Sequence, residues 1–115
     1  MDAMRVVVTG PESCGKTTLT IQLGNYFKTQ YSLEFAREFL KKTAGRYVEE
    51  DLLLIAQGQR LANSHVNPKE LFFCDTDLLT IKVWSLEKFQ HVHPNITKWF
   101  WEDLPDLYLL CQPDL

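Results

Sequence analysis

Cysteine is scarce and irregularly placed. The chain carries three, Cys14, Cys74 and Cys111. They are odd in number and form no Cys-x-x-Cys pair, which excludes a disulfide framework and a cysteine-based zinc site. A reducing cytoplasm is the expected compartment. Basic charge is equally thin: the net charge is −3, the pI is about 5.5, and Lys41-Lys42 is the only basic doublet. A nucleic-acid surface needs a basic patch, so no nucleic-acid partner is expected. No apolar run approaches membrane-spanning length, and Met1-Asp2-Ala3-Met4-Arg5 has no apolar core of a signal peptide. A soluble chain without a membrane partner is expected. Repeats, low-complexity tracts and linkers are missing too, so the 115 residues are expected to form a single domain over 1–115. A chain of that size buries about two-thirds of its unfolded surface.

What is present is concentrated near the start. Gly10-Pro11-Glu12-Ser13-Cys14-Gly15-Lys16-Thr17-Thr18 follows the apolar run Arg5-Val6-Val7-Val8-Thr9 and precedes Leu19, Leu23, Tyr26 and Phe27 at helical spacing. The pattern Gly-x-x-x-x-Gly-Lys-[Ser/Thr] becomes informative when a strand enters it and a helix leaves it. A buried strand then delivers the backbone to a turn of inward N–H groups, and the helix points its positive dipole end at the same spot. A triphosphate such as ATP fits there. Lys16 can reach the β- and γ-phosphates, and the Thr17 hydroxyl can bind Mg²⁺. Glu12 is awkward, because a carboxylate beside a triphosphate repels it unless it pairs or points away. Cys14, just ahead of the helix, is in a setting that sensitises thiols to alkylation. The blander reading, preferred for it, is a small residue that fits.

Short apolar runs alternate with helical patterns along the rest of the chain, the mark of a parallel sheet covered on both faces. Strands are expected at 5–9, 32–35, 71–75 and 106–111. Helices are expected at 15–30, at 36–45 with Gly45 suited to a left-handed terminus, from Glu49 until Asn67-Pro68, from Leu78, and from Pro94. Gly24 inside the first helix costs about 1 kcal/mol relative to Ala, which predicts a close packing contact there. In the third helix Leu52, Ile55, Ala56 and Gln59 share one side. Asp75 ends the apolar run Leu71-Phe72-Phe73-Cys74, the Walker B position that holds Mg²⁺ together with the loop hydroxyl. Its competing role is to cap the next helix, a task that Asp77 could perform instead.

With these elements in order, the chain resembles the ribosylnicotinamide kinase domain of NadR-type proteins, P-loop kinases grouped with AAA-domain sequences. The resemblance is carried by the loop at 10–19, Glu34-Phe35-Ala36-Arg37-Glu38, Ile55-Ala56-Gln57-Gly58-Gln59, Asp75-Thr76-Asp77-Leu78-Leu79-Thr80 and Asp106-Leu107-Tyr108-Leu109-Leu110. It implies an α/β, three-layer nucleoside-kinase-like fold with strand order 2-3-1-4. It also implies transfer of the ATP γ-phosphate to the 5′-hydroxyl of nicotinamide riboside or a similar nucleoside. Under it Glu34, at a strand end facing the ligand crevice, is the candidate base or orienter, against an exposed charge at a helix start. Arg37 is a candidate for holding acceptor or phosphate, against a surface ion pair. Asp77 is a candidate for the ribose hydroxyls, against a pure cap. Trp84 is a candidate for stacking on a ring. Lys16, Glu34, Arg37 and Asp75 form the expected catalytic set, Thr17 and Asp75 the expected metal pair.

Two features are discounted. His91-Val92-His93 lacks the partners of a metal site and reads as loop surface, and Trp99 with Ile96 and Phe100 reads as core. Relatives in the resembled family continue into an Arg-bearing lid and a fifth strand, whereas this sequence stops at Leu115. A fragment of a longer kinase, weakly active alone, is therefore expected. Its last strand would offer an apolar edge, leaving open self-association or fusion to other domains. The alternative function is a nucleotide-binding regulatory module without an acceptor.

Overall fold

The computed structural model describes residues 4–11, 14–64 and 71–112. Its elements run β1 (Met4–Thr9), α1 (Lys16–Tyr26), β2 (Tyr31–Ser32), α2 (Phe35–Lys42), α3 (Glu49–Ala62), β3 (Leu71–Asp75), α4 (Leu78–Phe89), α5 (Pro94–Glu102) and β4 (Leu107–Leu110). All strand pairs are parallel, as the alternation of runs predicts, and the sheet order is β2-β3-β1-β4, as the family resemblance implies. Val6, Val7 and Val8 are buried because β1 is central and covered on both faces.

Side-chain alternation assigns the two faces. Phe73 stacks on Phe27, just beyond α1, at 5.7 Å between ring centroids. The face that carries Phe73 and, two residues on, Asp75 therefore looks toward α1. Val7, Phe72, Cys74 and Tyr108 cluster on the opposite face, where Tyr108 meets Asp77 at the start of α4. Beyond it α2, α3, α4 and α5 enclose a core of Ala36, Leu52, Ile55, Ala56, Leu78, Ile81 and Ile96. Trp99 and Phe100 pack against that core, consistent with their reading as packing residues. Gly24 also meets its expectation: a Cβ there would lie 2.4 Å from Tyr31 Cδ1, so α1 approaches β2 closely only because the side chain is missing.

Several boundaries differ from the sequence reading, each for a local reason. The first helix ends at Tyr26, not near residue 30, because Lys28 turns left-handed (φ 53) and the Thr29 amide reaches back to the Gly24 carbonyl. The second strand is Tyr31–Ser32 instead of 32–35. Its continuation is drawn off the ladder by Gln59, which accepts from the Phe35 amide at 2.8 Å. Helix α2 stops at Lys42, with Ala44 and Gly45 both left-handed beyond it. The last strand is Leu107–Leu110, since the Asp106 carboxylate accepts from the Arg5 amide at 2.7 Å. Helix α3 closes at Ala62, and the expected Asn67-Pro68 terminus lies outside the described residues.

Candidate active site

The loop between β1 and α1 is shaped by two glycines. Gly10 has φ 145 and lies against the strand end of β4, where an added Cβ would sit 2.2 Å from the Cys111 carbonyl oxygen. Gly15 is left-handed (φ 83) and occupies the N-cap of α1. A side chain is disfavoured at both. Gly15 supplies no side-chain cap hydrogen bond to the first turn, whose amide groups and dipole suit an anion. Glu12 and Ser13, two expected members of the loop, lie outside the described residues. Cys14 is half-buried and its carbonyl accepts from the Cys111 thiol. Thr18 is exposed on α1.

Lys16 folds back over this loop. Its Nζ donates to the carbonyls of Gly10 at 3.0 Å and Pro11 at 3.2 Å, with the residue only 8% exposed. The next residue reaches across to the sheet: Thr17 Oγ1 donates to Asp75 Oδ2 at 2.6 Å. Asp75 is fully buried at the carboxyl end of β3, where the Thr76 hydroxyl also donates to its other oxygen, at 3.4 Å, so that the buried carboxylate is hydrogen-bonded on both sides. A hydroxyl and a carboxylate are hard oxygen ligands, the kind Mg²⁺ takes in ones and twos while water and phosphate supply the rest. The pair fits that ion, although no cluster of three or more His, Cys, Asp or Glu occurs among the described residues.

The two aspartates divide their roles. Asp77 is the N-cap of α4, with Oδ1 accepting from the Leu79 amide at 3.0 Å and Oδ2 from the Tyr108 hydroxyl at 2.6 Å. Burial lifts its carboxyl above the ordinary range, opposed by the Tyr108 hydroxyl, the Leu79 amide and the Arg5 charge. It lines a small recess with Arg5, Arg60 and Asp103, apart from the loop.

From the loop a cleft of about 650 Å³ opens between α2 and α4. Gly10, Pro11 and Lys16 form one end; Glu34, Leu40, Val83, Trp84 and Glu87 line its walls. Glu34 stands at the N-cap of α2 and, contrary to the sequence reading, two residues beyond β2 and not at its end. Trp84 is fixed by its Nε1–H, which donates to the Tyr47 hydroxyl at 3.0 Å, and by an edge contact with that ring at 5.0 Å. Arg37 does not join them; it is exposed on α2 and absent from the cleft lining. Of the discounted histidines, His91 pairs with Glu49 at 2.6 Å and His93 caps α5 through the Asn95 amide.

Sequence reasoning missed one participant. Gln59 is 1% exposed and binds the backbone on either side of Glu34. The signal was available as a lone amide on the apolar side of α3, between Ala56 and the helix end.

A first strand that turns through a left-handed loop into a helix gripping the acid of the neighbouring strand, in a 2-3-1-4 sheet, is the P-loop kinase fold. A family model described as AAA domain matches residues 5–115, and the chain belongs to that family. It is 26% identical over 113 residues to the trifunctional NAD biosynthesis/regulator protein NadR of Salmonella typhimurium, covering 93% of this chain and 28% of that protein. Among solved structures it is similar to NadR protein in complex with NR (TM-score 0.82, 27% identity, 94% of this chain and 33% of that one). It is equally similar to NadR protein in complex with NAD and AMP-PNP (TM-score 0.83, 28% identity, 94% and 34%). The chain thus spans about a third or less of the relatives it matches.

Proposed function

We propose that this chain is the catalytic unit of an ATP-dependent kinase that phosphorylates the 5′-hydroxyl of nicotinamide riboside or a similar nucleoside, in the cytoplasm. The observation that carries the reading is the union of two half-sites. Lys16 stands at one end of a cleft whose wall carries Glu34, and the residue after it, Thr17, holds Asp75 at 2.6 Å behind that end. Relatives seen with NR and with AMP-PNP support both halves.

In this reading the loop amides and Lys16 hold the β- and γ-phosphates, the ammonium leaving the Gly10 and Pro11 carbonyls for phosphate oxygens. Thr17 and Asp75 would hold Mg²⁺, which supplies charge neutralisation on the phosphates when bound. The acceptor hydroxyl lies against Glu34, which orients it and takes its proton as the new oxygen–phosphorus bond forms and the bond to ADP breaks. Asp77 caps α4, and Trp84 presents its ring to the nucleoside base. Arg37 would act only from the rim of the cleft.

The test is Mg²⁺-dependent formation of a phosphorylated nucleoside by the purified protein, assayed beside Lys16→Ala and Glu34→Gln. Turnover reduced to a small but measurable remainder in both, with ATP binding kept only in Glu34→Gln, is expected. ATP binding by wild type without turnover of any nucleoside would refute the kinase reading in favour of a regulatory module.

A further inference from the structure

Behind the cleft, and outside its lining, a chain of buried amides joins the two ends of the candidate site. Gln59 accepts from the Phe35 amide at 2.8 Å through Oε1 and, through Nε2, donates to the Leu33 carbonyl at 3.4 Å and to Asn63 Oδ1 at 3.0 Å. Asn63 Oδ1 also accepts from the Ser32 hydroxyl at 2.6 Å, and its Nδ2 donates to the Thr76 carbonyl at 3.0 Å. Leu33 and Phe35 flank Glu34; Thr76 separates Asp75 from Asp77 and is left-handed (φ 83). Gln59 is 1% exposed and Asn63 5%.

We infer that Gln59 and Asn63 are positioning residues for phosphoryl transfer, a role that rests on the kinase reading above. Two amides one helical turn apart, Gln59 in the last turn of α3 and Asn63 at its C-cap, present four polar groups in a fixed row, and each is spent on backbone or side chain that leads to an acid of the site. Burial makes the row stiff, because a member that moves leaves a desolvated partner behind. The α2 start that carries Glu34 and the turn after Asp75 are thereby held in one frame. A single strand end could not do this, since β2 lets go of the sheet at Ser32, before Glu34 is reached. The apolar stripe of α3 is interrupted by an amide at the one place where the chain between two layers must be pinned.

The experiment is a double-mutant cycle between Gln59→Met and Glu34→Gln, read in kcat, acceptor KM and affinity for an ATP analogue. Gln59→Met keeps the volume and removes the hydrogen bonds. It is expected to lower kcat by up to roughly a hundredfold, the cost of a misplacement of about 1 Å, while analogue affinity stays within about twofold. In the Glu34→Gln background the same change should lower kcat little further, because its effect passes through that carboxylate. Equal losses in both backgrounds, or an unchanged kcat, overturn the inference. A second readout is independent of turnover: hydrogen exchange at the Phe35 amide should accelerate at least about tenfold in Gln59→Met. Unchanged exchange overturns the amide row even where a nucleoside is phosphorylated, whereas faster exchange without turnover of any nucleoside in wild type refutes the kinase reading alone.

Discussion

Gly58 offers a sharp test of how α3 supports the cleft. A Cβ built there would fall 2.3, 2.4 and 2.5 Å from Cε1, Cζ and Cδ1 of Phe35, distances no real contact shows. The clash is with the flank of a ring whose backbone N–H donates to Gln59 Oε1 and which packs 6.5 Å from Phe39, so no flexible tip can swing aside. Two effects oppose each other in Gly58→Ala. Helix propensity favours Ala by about 1 kcal/mol, and overpacking costs about 1–3 kcal/mol. Contacts as short as 2.3 Å put the overpacking cost in the upper part of that range, so the net expectation is a loss of about 1–2 kcal/mol, with each kcal/mol worth roughly 4–8 °C in Tm for a domain near this size. Catalysis should suffer as well, because Phe35 follows Glu34 directly, and kcat should fall while ATP affinity holds. Thermal melts and steady-state assays read both. Adding Phe35→Leu should restore part of the stability, since it removes the ring atoms in question, and the coupling should exceed about 1 kcal/mol. A Gly58→Ala variant at or above wild-type Tm, as an exposed helical glycine would give, refutes the packing account.

Thr17→Val and Asp75→Asn should each reduce Mg²⁺-dependent turnover by on the order of a hundredfold or more, and excess Mg²⁺ should partly rescue Thr17→Val alone. Equal rescue of both would show that the carboxylate is dispensable. Asp77 supplies a pH signature. Its carboxyl titrates above the ordinary value of 3.8 when folded, so the folded state holds that proton more tightly. Its stabilising share is complete below 3.8 and is lost as pH rises through the raised folded value. The Tm of Asp77→Asn relative to wild type should therefore climb with pH from about 4 upward; a difference that is flat or declining contradicts the burial argument. Thiol labelling should separate the cysteines: Cys74 is fully buried with its thiol pushed up to about 12 and should stay unmodified. Cys14 should react, with ATP protecting it and nucleotide binding lost. Inactivation that persists in Cys14→Ser would place the sensitive thiol elsewhere.

The parts of this molecule that were legible in sequence are those whose physics is local. The loop at Gly10 to Thr17, the run Leu71–Asp75 with its acid, the cap at Asp77 and the proline opening α5 each declare themselves within a few residues. Strand order followed from the resemblance and not from any such signal. What escaped depends on partners far along the chain. Nothing near Glu34 reveals that β2 ends early, because the residue that ends it, Gln59, is 24 positions from the amide it captures. Nothing near Gly58 reveals Phe35. Arg37 drew attention as a guanidinium within the segment Glu34-Phe35-Ala36-Arg37-Glu38, and only the packing of α2 against its distant neighbours shows that Glu34 lines the cleft while Arg37 is exposed outside it. The same reasoning explains why phosphate binding is easier to read than acceptor choice. In the kinase reading phosphates are held largely by main-chain groups whose conformation two glycines dictate, whereas the acceptor would meet the cleft wall of Leu40 on α2 and Val83, Trp84 and Glu87 on α4, side chains that come together only after the sheet has closed. Under the same reading, discrimination among nucleosides should therefore respond to substitutions on α2 and α4 and the triphosphate step to substitutions in the loop, while a change at Gln59 acts on the acceptor side through Glu34 and leaves nucleotide affinity in place.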